Sequence, residues 1–227
     1  NHVRITQPHP LRRGDLIGVA SHQFLFQMES ELGSADPPTQ TTAVTHSIDP
    51  ETLVTIEWVE CYLLVADIEG STRLSQTMPQ EELSAKVRLW AGECDAIVRG
   101  SNGIVNELMG DGLLAFWRQK NVQPEDIINM LSEFNAMESR SGLKFRVLLH
   151  HGVIGFGGGV SSGIEKLGGA EVNYVFKMEK SASLSGAKVN LTESAFQILS
   201  PGFETVKLGE FEISGFEGLQ NLYTPAE

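Results

Sequence analysis

An unbroken apolar run, Cys61-Tyr62-Leu63-Leu64-Val65-Ala66, leads directly into Asp67, and that junction constrains this chain more than any other. A continuous apolar stretch of this length reads as a strand buried on both faces. It ends at Asp67 because a carboxylate needs water, a cation or hydrogen-bond donors around it. A small-residue turn, Ile68-Glu69-Gly70-Ser71-Thr72, follows and opens a helical segment. A second carboxylate, Asp111, lies in Gly110-Asp111-Gly112, between the apolar runs Ile104-Val105 and Leu113 to Trp117. Two carboxylates at strand ends can share a pair of hard cations, and a side-chain-poor turn can present backbone N–H groups to phosphates. Together the two motifs point to metal-dependent chemistry on a nucleotide.

The 227 residues leave room for one well-packed domain plus an extension. A net charge of −12 argues against general nucleic-acid binding, which needs a basic face. A polyphosphate could still be held by metal ions and a few local lysines. Cys61 and Cys94 are the only cysteines, and both read as buried thiols. No disulfide framework is expected, which fits a reducing, cytoplasmic setting. No membrane span, signal peptide, internal repeat or heptad pattern is read from the chain.

Residues 1–56 read as an N-terminal extension and linker, with a helix over Leu16 to Leu32 and a polar, Pro- and Thr-rich stretch over 33–50. Residues 57–227 read as the catalytic domain. There a strand over 60–67 precedes a helix from Pro79 to Arg99, with Leu83, Val87, Trp90, Cys94 and Ile97 on one face. Strands near 103–107 and 112–117 form a hairpin around Gly110-Asp111. A helix over Pro124 to Glu138 turns Ile127, Leu131 and Phe134 inward, and Phe145 to His150 is a strand. Gly155 to Gly169 reads as a flexible loop or hairpin. Val172 to Ser183 is a helix, Lys188 to Leu191 a strand, Glu193 to Leu199 a helix, and Phe203 to Tyr223 closing strands. The order β-α-β-β-α-β, with more of both after it, predicts an α+β sandwich of the split βαβ (ferredoxin-like) kind.

Asp67 to Leu74, Gly110-Asp111-Gly112, Arg146 through Gly152, and Val172 to Glu179 resemble the class III nucleotidyl cyclase catalytic domain of adenylate and guanylate cyclases. The ending, from Leu208-Gly209-Glu210 to Leu222-Tyr223, resembles that family's last strands, so the likeness covers roughly residues 57 to 225. The resemblance implies a homodimer whose active sites each draw on both chains. It also implies conversion of a nucleoside triphosphate to the 3′,5′-cyclic monophosphate and pyrophosphate.

On that resemblance, Asp67, Asp111 and the Ile68 carbonyl would hold two Mg²⁺ or Mn²⁺ ions. Backbone N–H groups of Glu69, Gly70, Ser71 and Thr72 would cradle the outer phosphates. Asn173 and Lys177, one helical turn apart, would orient the ribose and meet charge on the α-phosphate. The family usually carries Arg where this chain has Lys177; Lys keeps the charge and loses the planar fork. Lys188 matches a lysine that contacts the terminal phosphates. His150-His151 has no partner ligands at metal spacing and reads as structural or surface.

On the same resemblance, the two positions with which that family reads its base fall on Glu107 and Lys166. Glu107 only accepts and wants a ring N–H; Lys166 only donates and wants a carbonyl. Guanine and uracil present that edge, adenine and cytosine the reverse, so GTP or UTP is expected over ATP. A short cyclase chain of this kind is analogous to bacterial pyrimidine cyclases that signal phage infection. The alternatives are an adenylate cyclase, a weakly active nucleotide-binding or dimerisation module, and a different two-metal enzyme acting on phosphates.

Overall fold

The computed structural model describes residues 16–19, 22–25, 56–157 and 166–226. The chain divides into two units, Asn1–Glu57 with Gly157–Gly163, and Trp58–Phe156 with Ile164–Glu227. In the first unit, strands β1 (Leu16–Val19) and β2 (His22–Leu25) form an antiparallel pair, Leu16 opposite Leu25. The helix expected from Leu16 is therefore corrected. Ile17, Val19 and Phe24 favour an extended backbone, and a cross-strand ladder satisfies it. The remainder of that expected helix, 26–32, and the linker over 33–50 lie outside the described residues.

The second unit is built on β3 (Glu57–Ile68), β4 (Ile104–Met109), β5 (Gly112–Arg118), β6 (Phe145–Gly157), β7 (Lys166–Gly168), β8 (Val189–Thr192), β9 (Thr205–Glu212) and β10 (Leu219–Pro225). They form one eight-stranded sheet in the order β4-β5-β3-β6-β8-β10-β9, with β7 paired to β6. The sheet is mixed, because β6 and β8 run parallel while β3–β5, β4–β5, β8–β10 and β9–β10 are antiparallel. Helices α1 (Ser71–Thr77), α2 (Gln80–Gly100), α3 (Pro124–Ala136), α4 (Ala170–Ala182) and α5 (Glu193–Leu199) connect the strands.

Alternation along β3 divides the core in two. Tyr62, Leu64, Ala66 and Ile68 pack with Trp90, Cys94 and Val98 of α2, Phe134 of α3 and Leu199 of α5. Cys61, Leu63 and Val65 pack with Val175 and Met178 of α4. From Cys61 to Ala66 both faces of this strand are covered, which is why that stretch is apolar at every position. The period places Asp67 with the odd-numbered set, toward α4.

The observed α+β sheet matches the expected class, and the elements from β3 onward match in kind and order. Two details differ. On α2, Val98 rather than Ile97 completes the fully buried stripe. β6 continues to Gly157, so His150-His151 sit within a strand and not at its end. Lys166–Gly168, within the stretch expected as a flexible loop or hairpin, pairs as β7 with β6, which is the second of those alternatives.

Gly103, between α2 and β4, is required by its neighbour. A Cβ there would lie 2.4 Å from the Trp117 ring. That ring is buried, and its Nε1 donates to the Ser101 carbonyl at 3.1 Å. Gly103→Ala is expected to cost about 1–3 kcal/mol through overpacking. A fall in thermal midpoint relative to Gly92→Ala, at an open helical position, checks this.

Candidate active site

The turn after β3 and the β4–β5 turn are joined by the backbone. The Ile68 N–H donates to the Asp111 carbonyl at 3.0 Å, and Asp67 pairs with Gly112 in the ladder. Two carboxylates more than forty positions apart in sequence thus arrive at the same end of adjacent strands. Their charges interact. Burial first, then the Glu179 carboxylate, push the Asp67 carboxyl up to about 6; Arg146 pulls it down, and Asp111 and Glu69 add to the rise.

Arg146 is the residue that the sequence reasoning left without a role. From the start of β6, its Nη2 donates to Asp67 Oδ2 at 3.0 Å and its Nε to Glu179 Oε1 at 3.1 Å. The signal was an arginine inside an otherwise apolar strand, Phe145-Arg146-Val147-Leu148-Leu149. Such a charge persists only when paired. Glu179 was hidden because a helical glutamate resembles any solvated one.

The Glu69–Thr72 turn is positioned by Gly70, whose φ of 67° is a conformation that favours glycine. Its N–H groups are not all available. Glu69 N–H donates to the Lys144 carbonyl at 2.9 Å, so the cradle expected from Glu69 onward narrows to Gly70, Ser71 and Thr72. The first helical N–H groups of α1 have no acceptor among the described residues, since the i→i−4 pattern begins at Leu74. A cleft of about 790 Å³ adjoins the turn, lined by Ile68, Ser71, Thr72, Arg88, Gly110 and Asp111 among others.

The remaining expected residues lie elsewhere. Asn173 is exposed on α4, with no hydrogen bond among the described residues. Lys177 is half-buried, and its Nζ donates to the Ser214 carbonyl at 2.7 Å. Glu107 and Lys166 are both exposed and unpaired among the described residues. The Lys188 ammonium donates to the Asn135 and Met137 carbonyls, where α3 ends, and lies 4.9 Å from the Phe145 ring centroid. That is a helix C-cap, where a cation meets the negative end of the dipole.

Helix α4 is anchored at its first turn. Glu171 Oε2 lies 2.8 Å from Nε2 of the buried His150, whose Nδ1 lies 3.0 Å from Thr192 Oγ1. Gly152 makes room for this pair, since a Cβ there would lie 2.8 Å from Glu171 Cγ. His150 is thus buried and bonded on both ring nitrogens to protein side chains.

No group of three or more His, Cys, Asp or Glu side chains among the described residues could hold a metal by itself. The donors present do suit a hard divalent cation. They are oxygens, and Asp67 is partly buried with the carboxylates of Glu179, Asp111 and Glu69 acting on it and Arg146 opposing them. Substrate oxygens would have to complete the shell.

Solved structures share this architecture. The adenylyl cyclase CyaB from P. aeruginosa aligns over 76% of this chain and 96% of its own, with a TM-score of 0.62 at 18% identity. The guanylate cyclase domain of RhGC from Catenaria anguillulae, solved in complex with GTP, aligns over 74% and 98%, with a TM-score of 0.59 at 22% identity. The domain has the class III nucleotidyl cyclase fold. Among curated proteins, a cytidylate cyclase from Escherichia coli is 37% identical over 65 residues, 29% of this chain and 14% of that protein. This chain therefore matches only a small part of that relative's length. No family model matches the chain. No helix among the described residues is long and apolar enough to cross a membrane.

The hydrogen bond from His150 holds the Glu171 carboxyl below its usual value of 4.5, with burial opposing and the histidine charges assisting. A carboxyl depressed in the folded state contributes stability above the unfolded value and loses it as pH falls. The gap in thermal midpoint between wild type and Glu171→Gln is accordingly expected to be constant above about pH 5.5 and to shrink below pH 4.5. A midpoint series across pH checks it.

Proposed function

We propose that this chain is a nucleotidyl cyclase that closes a nucleoside triphosphate to its 3′,5′-cyclic monophosphate and releases pyrophosphate. The reading is carried by Asp67 and Asp111, which the Ile68–Asp111 backbone bond brings together beside the cleft. When bound between them, two Mg²⁺ or Mn²⁺ ions would lower the pKa of the ribose 3′-hydroxyl and neutralise the leaving pyrophosphate. The N–H groups of Gly70, Ser71 and Thr72 face the outer phosphates. The new bond joins O3′ to the α-phosphorus as the bond to the β-phosphate oxygen breaks, and the hydroxyl proton passes to water.

The site is shared between two copies of the chain in this reading. Glu179, which reaches the Asp67 cluster through Arg146, and Lys177 are two positions apart on α4, about 200° around the helix. Lys177 and Asn173 therefore point away from their own chain's aspartates, and they serve the aspartates of a second copy. Ile104 and Leu108 of β4, exposed at 52% and 60%, give such a copy apolar surface to cover.

Glu107 and Lys166 read the base. The carboxylate accepts from a ring N–H and the ammonium donates to the adjacent carbonyl, an edge that uracil and guanine offer. Likeness to a cytidylate cyclase over 65 residues favours a pyrimidine, and the Glu/Lys pair favours uracil over cytosine. UTP is the substrate this combination supports best, with GTP second.

Incubation with Mn²⁺ and each of the four triphosphates, with products identified by mass, is expected to give cyclic UMP as the main product. Cyclic AMP as the main product would overturn the edge-matching argument. Asp67→Ala and Lys177→Ala are each expected to lower turnover by about 100-fold or more. Mixed in equal amounts, the two inactive variants should recover about a quarter of wild-type activity. Half the dimers are then mixed, and each of these keeps one intact site of two. No recovery on mixing would refute shared sites.

A further inference from the structure

A lysine that acts on one phosphoryl oxygen has a handicap. Its charge is a point at the end of a flexible four-carbon stem, and catalysis rewards only a held geometry. Lys177 of this chain is held. Its Nζ donates to the Ser214 carbonyl at 2.7 Å and lies 5.4 Å from the centroid of the Phe216 ring, within cation–π range. Both partners belong to the turn between β9 and β10. The turn is itself fixed, because Phe216 N–H donates to the Ile213 carbonyl at 3.0 Å and Ile213 is buried. The Phe216 ring meets Tyr174 edge-on at 4.9 Å, and the Tyr174 hydroxyl donates to Gln220 of β10 at 3.1 Å. Gly215 sits between the two contacts with φ of 84°, and a Cβ there would lie 3.0 Å from Lys177 Nζ. Backbone and ammonium approach closely because that residue has no side chain.

We infer that the β9–β10 turn positions Lys177, with the Ser214 carbonyl as its anchor and Phe216 as the positioning residue; this rests on the cyclase reading of Lys177 given above. One of the three ammonium N–H donors is spent on Ser214, and two remain for phosphate oxygens. The aromatic face restrains the stem without taking a donor. Phe216 touches no reacting atom and acts through Lys177.

The test compares Phe216→Tyr, which keeps the ring, with Phe216→Leu, which keeps bulk and apolarity. Phe216→Tyr is expected to stay within about twofold of wild-type kcat. Phe216→Leu is expected to lose about three- to tenfold in kcat with KM little changed. A merely structural role predicts that Leu serves as well as Tyr, so equal kcat values for Leu and wild type overturn the inference. A kcat that rises in Phe216→Leu also overturns it, since the contact would then restrain activity. A raised KM and a lowered thermal midpoint together in Phe216→Leu, with kcat unchanged, assign the residue to packing alone and overturn it too. Selective ¹³C-lysine NMR reads the contact without turnover. The Lys177 ε-methylene resonance is expected upfield from ring shielding in wild type and at the solvated position in Phe216→Leu. An unshifted wild-type resonance overturns the inference whatever the activity. A shifted resonance in a protein that forms no cyclic nucleotide overturns the cyclase reading instead.

Discussion

The rest of the site depends on a charge imbalance around Asp67. Three other carboxylates, Glu179, Asp111 and Glu69, act on it, and Arg146 is the cation that opposes them. Burial is the larger cause and the neighbouring carboxylates add to it: the Asp67 side chain is only 24% exposed and the Arg146 side chain 15%. Proteins seldom concentrate negative charge this way for stability. On the cyclase reading proposed above, a divalent pair bound with a triphosphate would supply the missing positive charge. Arg146 bridges Asp67 and Glu179 in the meantime, so one guanidinium fork ties the end of β3 to α4.

Sheet geometry places the charges there. From Cys61 to Ala66 the central strand is buried on both faces, so alternation forces Asp67 to the α4 side, where Glu179 stands. The β4–β5 turn reaches the same end because β5 pairs antiparallel with β3 and returns Asp111 beside Ile68. Helical geometry then divides α4 into two working sides. Glu179 faces its own aspartate cluster, while Asn173 and Lys177 face away, toward the β9–β10 turn in the case of Lys177. On the shared-site reading, each copy would carry both halves of the chemistry, on different sides of α4.

The hidden parts of this site share a property. Asp67 and Asp111 were legible because each ends an apolar run in a small-residue turn, and local pattern carries that information. Arg146 was visible as an anomaly in a strand, yet its partners lie 79 and 33 positions away, and no local pattern names them. Lys188 shows the reverse limit. The family resemblance implied phosphate contact for it, and in this structure its ammonium donates to carbonyls at the end of α3, more than 50 positions away. The Glu69 N–H, read as part of the phosphate cradle, is committed to Lys144 for the same reason. A donor's availability is decided by whichever acceptor folding brings near.

By itself the sequence determined the class of fold, the order of elements from β3 onward, the buried cysteines and the two metal-binding candidates. Each is set by residues close along the chain, through hydrophobic period, turn chemistry and the cost of burying a charge. Tertiary structure alone decided that Arg146 joins Asp67 to Glu179, and that Lys177 rests on Ser214 and Phe216. Those contacts depend on which surfaces pack together, a property of the whole sheet and its helices that no stretch of residues carries alone.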